Sequence, residues 1–208
     1  MAGVDQPDPL ALHARAKAGD VRAQIALSTV FDREGRHDVA LAWLQQAAAA
    51  GSLEAEAALG ARLLVGRAAP FDPAQGAERL HRAADKGEPE AAVRSAVLML
   101  RGLGRPADGA TALDRLLSAA VRGHGDARGQ LAVLAGDANL FALTLKGGAI
   151  SDNRLRAARR GVDLAAWLAP PRPDPISEDP RIRVFRAFLP PLALAWIRRR
   201  AEQRRPVD

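Results

Sequence analysis

The chain has 208 residues, with 30 Lys and Arg against 24 Asp and Glu and a formal charge of +6. It contains no Cys, which excludes a disulfide framework, a thiolate nucleophile and a Cys-ligated metal centre. Charged residues interrupt every apolar run before the ~18–20 residues needed to span a bilayer. The opening Met1–Asp8 also lacks the basic and apolar regions of a signal peptide, so the cytoplasm is the expected compartment and no membrane partner is expected. Aromatics make up only 4%, so the core must be built from Ala and Leu on closely approaching helices.

In chain order, Pro9 to Ala18 predicts a lone helix that forms an N-terminal cap. Gly19, Gly51, Gly87 and Gly123 then recur at spacings of 32, 36 and 36 residues. Ala23, Ala55, Ala91 and Ala127 stand four residues after them, and Leu27, Leu59, Ser95 and Leu131 stand eight after. Leu44, Leu80 and Leu116 stand seven residues before the later three glycines. Steps of three and four put the Ala and Leu positions on one helical face. A glycine at the end of a helix takes a left-handed conformation at little cost. The unit is therefore a helical hairpin, and one hairpin cannot bury its own apolar face, so the units stack into a solenoid.

The string carried by Ala40, Trp43, Leu44, Ala47, Ala48 and Gly51 resembles the Sel-one-like repeat, a relative of the tetratricopeptide repeat. The other signature positions are Ala55, Ala83, Gly87, Ala91, Ala119 and Gly123. That family's inter-helix loop is matched at Gly102, Gly104, Asp108 and Ala112. The first unit has a shorter loop at Arg33–Asp38, and Arg115 stands where the family usually has an aromatic residue. The resemblance implies an all-α, right-handed α-solenoid over 1–168, with units near 19–50, 51–86 and 87–122 and a degenerate one at 123–168. In that last unit Ala157–Gly161 repeats the unit ending, and Val162 to Leu168 reads as one short helix.

Residues 169–180 carry five Pro and read as an extended linker. Over 181–208, Ile182 and Val184 alternate with Arg181 and Arg183, which suggests a short strand. A helix then runs from Leu192 to about Arg205, with Ala193, Trp196 and Ile197 on its apolar side and Arg198, Arg199, Arg200, Arg204 and Arg205 on the other. Residues 151–208 hold 13 Arg against 7 acids, so the excess positive charge belongs to this end. The phrase Pro180–Pro190 together with that helix resembles the opening of a prolyl-4-hydroxylase-like 2-oxoglutarate/Fe(II) oxygenase domain. Such enzymes hold iron with a His-x-Asp pair and a distant His. All four His of this chain lie before position 125, so the chain alone is expected to be inactive. Fe(II) and 2-oxoglutarate would enter only with a downstream catalytic domain.

His124-Gly125-Asp126 has the spacing of that pair but occupies the start of a repeat. Gly102-Leu103-Gly104 resembles a dinucleotide fingerprint, yet a repeat helix precedes it where a strand is required. His13 and His81 are expected to face solvent, and His37 to sit in a tight loop. The arginine run reads first as a solvated helix face, and nucleic acid is the less favoured partner because stacking aromatics are scarce.

The expected function is a protein–protein interaction scaffold, the repeat region of a bacterial oxygenase that docks a protein or peptide. A stand-alone adaptor is the alternative. Gln24, Ser28, Glu56 and Arg128 are the candidate partner-binding positions, on the first helices that would line a concave surface. No catalytic, cofactor-binding or metal-ligating residue is assigned. The segment 176–208 is expected either to fold back on the last helices or to stay mobile.

Overall fold

The computed structural model describes residues 9–169, 174–178, 181–184 and 189–202. These form twelve helices and one antiparallel pair of strands. The helices are α1 (Pro9–Lys17), α2 (Val21–Arg33), α3 (His37–Ala49), α4 (Leu53–Val65), α5 (Pro73–Asp85) and α6 (Pro89–Leu100). They continue as α7 (Gly109–Val121), α8 (Gly125–Leu134), α9 (Ala138–Leu145), α10 (Asp152–Arg160), α11 (Leu164–Leu168) and α12 (Pro191–Glu202). Strands β1 (Asp174–Glu178) and β2 (Arg181–Val184) lie between α11 and α12. Two compact units result, Met1–Arg115 and Leu116–Asp208.

The repeat glycines do what their spacing requires. Gly19, Gly51 and Gly87 have φ of +90° and Gly123 has +94°, the left-handed region that a side chain rarely adopts. The residue after each glycine caps the next helix. Asp20, Ser52, Glu88 and His124 each accept the backbone N–H three residues on, from Ala23, Ala55, Ala91 and Ala127. Four different side chains thus serve one purpose, the satisfaction of an orphan amide. Those four Ala are fully buried, so cap and core are fixed by the same short segment.

In the first unit the core runs from hairpin to hairpin. Leu12, Ala16, Ala23, Leu27 and Trp43 join α1 to α2 and α3. Leu44, Ala47, Ala55 and Leu59 join α3 to α4, and Ala57, Leu80, Ala91 and Leu98 join α4 and α5 to α6. Burial of each Leu contributes about 2 kcal/mol. The short loop at 34–36, against 66–72 and 101–108 in the next two hairpins, agrees with the sequence reading. In the second unit Ala127, Leu131, Leu140, Phe141 and Leu155 are buried.

Two expectations need correction. Gly161 looks like a unit ending, but its φ is −79°, and its amide bonds back to Ala157 and Ala158 within the right-handed turn. It does not make the reversal that the other repeat glycines make. The stretch expected to be a linker contains β1, which pairs antiparallel with β2. Pro175 does not prevent this, because in a two-stranded pair one edge of each strand needs no partner, and the register is irregular between Pro175 and Ser177. The expected strand and helix are present at Arg181–Val184 and Pro191–Glu202, while Phe185, Phe188, Arg204 and Arg205 lie outside the described residues.

Candidate functional site

Of the four candidate partner-binding residues, Gln24, Ser28 and Glu56 lie in the first compact unit and Arg128 in the second. Gln24 is 5% exposed and donates through Nε2 to the carbonyl of Ala16 on α1 at 3.1 Å. Ser28 is 2% exposed and donates to the carbonyl of Ile25 at 2.7 Å. Both positions are taken up by packing inside the fold, because the first helices approach closely enough to bury small polar side chains. Glu56 remains half-buried and accepts from Arg79 at 2.7 Å and Arg82 at 2.6 Å, which ties α4 to α5. Arg128 donates to the carbonyl of Ala120 at 2.9 Å.

The histidines also depart from expectation. His13 is half-buried and meets Trp43 edge-on, with ring centroids 5.7 Å apart. His37 begins α3 and approaches Asp32 at 3.1 Å. His81, expected in solvent, is fully buried. Its Nε2–H donates to the carbonyl of Leu103 at 2.8 Å, and Nδ1 faces Ser95 Oγ at 2.7 Å and the Arg115 guanidinium at 3.2 Å. Arg115 also bonds Ser95 and pairs with Asp85, which pairs with Arg105 at 2.9 Å.

A hydroxyl against an imidazole is the arrangement of a nucleophile and its base. Here both groups have zero exposure. Burial, with the charges of Arg105 and Arg115, holds the imidazole below its ordinary range, against the opposing bond to the Leu103 carbonyl. The cluster is a closed polar core that joins α5, α6 and residues 103–115. Among the described residues no group of three or more His, Asp or Glu is placed to hold a metal ion.

Accessible chemistry gathers instead at the loop between α4 and α5. Phe71 is 71% exposed and Val65 is 67% exposed. Two clefts flank this segment. One, of about 260 Å³, is lined by Leu41, Leu59, Leu63 and Pro70 together with the polar Asp72 and Arg79. The other, of about 330 Å³, is lined by Val65, Arg67 and Ala68, together with Asp32, His37 and Arg62. Arg62 is bound to Asp32 through both guanidinium nitrogens, so the rigid side of this cleft is already neutralised.

The loop is held in an unusual conformation. Ala68 has φ of +56°, in the left-handed region, and no other described non-glycine residue does this. Asp72 ends the loop by capping α5 at the Gln75 amide, 2.9 Å away. Below it the backbones of α4 and α5 approach closely at Gly60 and Gly76. A Cβ on Gly76 would stand 2.7 Å from the carbonyl of Gly60, and one on Gly60 would stand 2.9 Å from that of Gly76.

No family model matches the sequence, and no curated protein does. Solved structures do. A Sel1 repeat protein from Oxalobacter formigenes is similar with a TM-score of 0.52 and 30% identity, over 58% of this chain and 94% of that one. The chain belongs to the Sel1-like repeat proteins. The protein c5321, a protective antigen of uropathogenic Escherichia coli strains with an SLR fold, is similar with a TM-score of 0.57. At 24% identity over 79% of this chain, that likeness concerns the fold alone, and this chain spans about a third of that protein (34%).

Within this Sel1-like frame the unusual loop can be placed. Gly66-x-Ala68 with Asp72 is in register with Gly102-x-Gly104 with Asp108, and Gly104 has φ of +76°. The backbone of the second loop keeps the shape of the third with Ala in a glycine position. The replacement of Gly by Ala at that position is the signal the sequence carries for this site.

Proposed function

We propose that this Sel1-like chain is a protein–protein interaction scaffold whose α4–α5 loop takes up an apolar segment of a partner. The observation that carries the reading is the exposure of Val65, at the end of α4, and of Phe71 on the loop that follows, which is bordered by two clefts and held at a left-handed Ala68. Large exposed apolar groups beside a preformed cleft mark binding surfaces. Backbone strain concentrates at functional segments. Leu41, Leu59 and Leu63 offer an apolar floor, and Arg79, fixed by Glu56, offers a positioned polar rim. Nothing in this arrangement performs a reaction, and binding through shape and burial is what it can do.

The narrower reading, in which the scaffold docks substrate or partner for a 2-oxoglutarate/Fe(II) oxygenase, rests on the phrase at 180–190. The stand-alone adaptor reading gains support from α12. Its Trp196 lies against Gly129 of α8, so part of the apolar side of that helix has a partner within this chain.

Panning a random peptide library against the immobilised chain tests the loop assignment. Selected peptides should carry large apolar residues and should lose binding on Phe71→Ala and Leu63→Glu. Peptides that bind these variants as well as the parent chain would place the surface elsewhere.

A further inference from the structure

Helix α12 carries two apolar stripes. Ala193, Trp196 and Arg200 make the first, which lies on α8. Ala193 is buried, and the Trp196 ring covers Gly129 so closely that a Cβ there would come within 2.3 Å of it. Phe141 meets the same ring edge-on at 6.1 Å. The Arg200 guanidinium lies over the same ring at 5.7 Å and pairs with Asp126. These contacts fix both the position and the rotation of the helix.

The second stripe is about a third of a turn away, at positions 194, 197 and 198. There Leu194 is 42% exposed and Ile197 is 50% exposed, with Arg198 exposed beside them. A surface helix ordinarily buries its apolar stripe and turns polar residues outward. This one turns apolar residues both ways.

We propose that the outward stripe of α12, formed by Leu194, Ile197 and Arg198, docks an acidic amphipathic segment of a protein partner. Charge selects the occupant. The unit Leu116–Asp208 holds 16 Lys and Arg against 9 acids, a net of +7, whereas Met1–Arg115 holds 14 against 15, a net of −1. Arg198 makes no ion pair among the described residues. A field of this sign draws acidic chains and repels basic ones. The apolar pair selects protein over nucleic acid. Nucleic acid is held by phosphate contacts and aromatic stacking; Leu194 and Ile197 are aliphatic, and Trp196 is committed to Gly129. Because α12 is already anchored, little ordering cost falls on binding. This surface is independent of the α4–α5 loop, and either can fail without the other.

Fluorescence anisotropy with the full chain tests the proposal. The probes are a labelled helical peptide of repeated Leu-Glu-Glu-Leu units, its Lys counterpart and a labelled single-stranded DNA. The acidic peptide should bind and the Lys peptide should not. Leu194→Ser with Ile197→Ser should weaken binding about tenfold, a loss of roughly 1.4 kcal/mol, and Arg198→Glu should weaken it and reduce its salt dependence. Unchanged Trp emission in both variants would show that α12 remains docked. No binding of the acidic peptide, binding that survives both sets of substitutions, or tighter binding of the DNA would overturn the proposal.

Discussion

Helix α5 is held on its two sides by opposite means. Toward α4 it offers Gly76 to Gly60, and backbone lies on backbone with no room for a methyl group. Toward α6 it offers His81 and Asp85 to a polar cluster with Ser95, Arg115 and the Leu103 carbonyl. The first contact is limited by volume and the second by hydrogen-bond satisfaction. A close-packed contact fails when an atom is added. A buried polar contact fails when a partner is removed. Repeats of one family, stacked in one direction, can therefore fix their neighbours with interfaces of different chemistry.

Adding one carbon to the α4 side should have the largest effect. In Gly76→Ala the new Cβ meets the Gly60 carbonyl at 2.7 Å and the Leu64 amide at 2.8 Å, both backbone atoms that cannot rotate away. Overpacking of this kind costs about 3 kcal/mol. The gain in helix propensity of Ala over Gly returns only about 1 kcal/mol. Urea unfolding should show a net loss of roughly 2 kcal/mol. Gly125, at the start of α8, has nothing within 4 Å of the corresponding position, so Gly125→Ala should be neutral. Equal losses in the two variants would mean that the crossing is not tight.

Removing a partner from the α6 side should cost somewhat less. Arg115→Ala takes donors from Ser95 and His81 and leaves Asp85 with Arg105. Ser95 and His81 still satisfy each other at 2.7 Å, so the expected loss is about 1–2 kcal/mol. Arg115→Ala combined with Ser95→Ala should lose more, since the buried His81 Nδ1 is then left without either of its partners. A double-mutant cycle with no coupling would show that Arg115 acts only as packing.

The two sides of α5 should also answer differently to pH. Burial, aided by Arg105 and Arg115, holds the folded His81 imidazole below its unfolded value of 6.5. Below that value the unfolded chain binds a proton that the folded chain resists. Stability is therefore full above 6.5 and falls as pH drops from 6.5 toward the folded value. His81→Gln should flatten this part of the pH–stability curve, while Gly76→Ala should shift the whole curve without changing its slope there. A slope retained in His81→Gln would assign it to other groups.

The contrast also explains what is legible in the sequence. The glycine ladder and its alanines are readable because each has one physical task, a left-handed φ or a close approach, that few residues perform. The letters fail where one residue type serves several tasks. Gly161 ends a matching string yet stays in the right-handed region, because the need for reversal comes from the next helix and not from the glycine. His81 stands at a position usually polar and exposed, and its burial depends on Ser95 and Arg115, fourteen and thirty-four residues away. Ser95 is the polar member of a leucine column, and Arg115 stands in a column that begins with Trp43 and holds Arg79 in the second unit. Only when those two irregularities are paired do they locate the cluster. The α4–α5 site leaves a fainter trace, since exposure of Phe71 depends on loop shape.

The smallest expected effect concerns that loop. Ala68 holds φ of +56° where the next loop has Gly104 at +76°. A left-handed conformation costs an L-residue about 1–2 kcal/mol. Glycine relieves that cost but loses more freedom on folding, by roughly 0.5–1 kcal/mol. Ala68→Gly should therefore stabilise the chain by only about 0.5 kcal/mol, read as a small rise in the urea midpoint. The consequence for the comparison is larger than the energy. Gly60 and Gly76 hold α4 and α5 together whatever the loop does, so the crossing should stay intact, while amide hydrogen exchange at 66–72 becomes faster. Peptides selected on the parent chain should then bind more weakly, since Phe71 and the cleft walls would have to be ordered at the moment of binding. Stronger binding by Ala68→Gly would show that the left-handed alanine restrains the loop away from its binding shape.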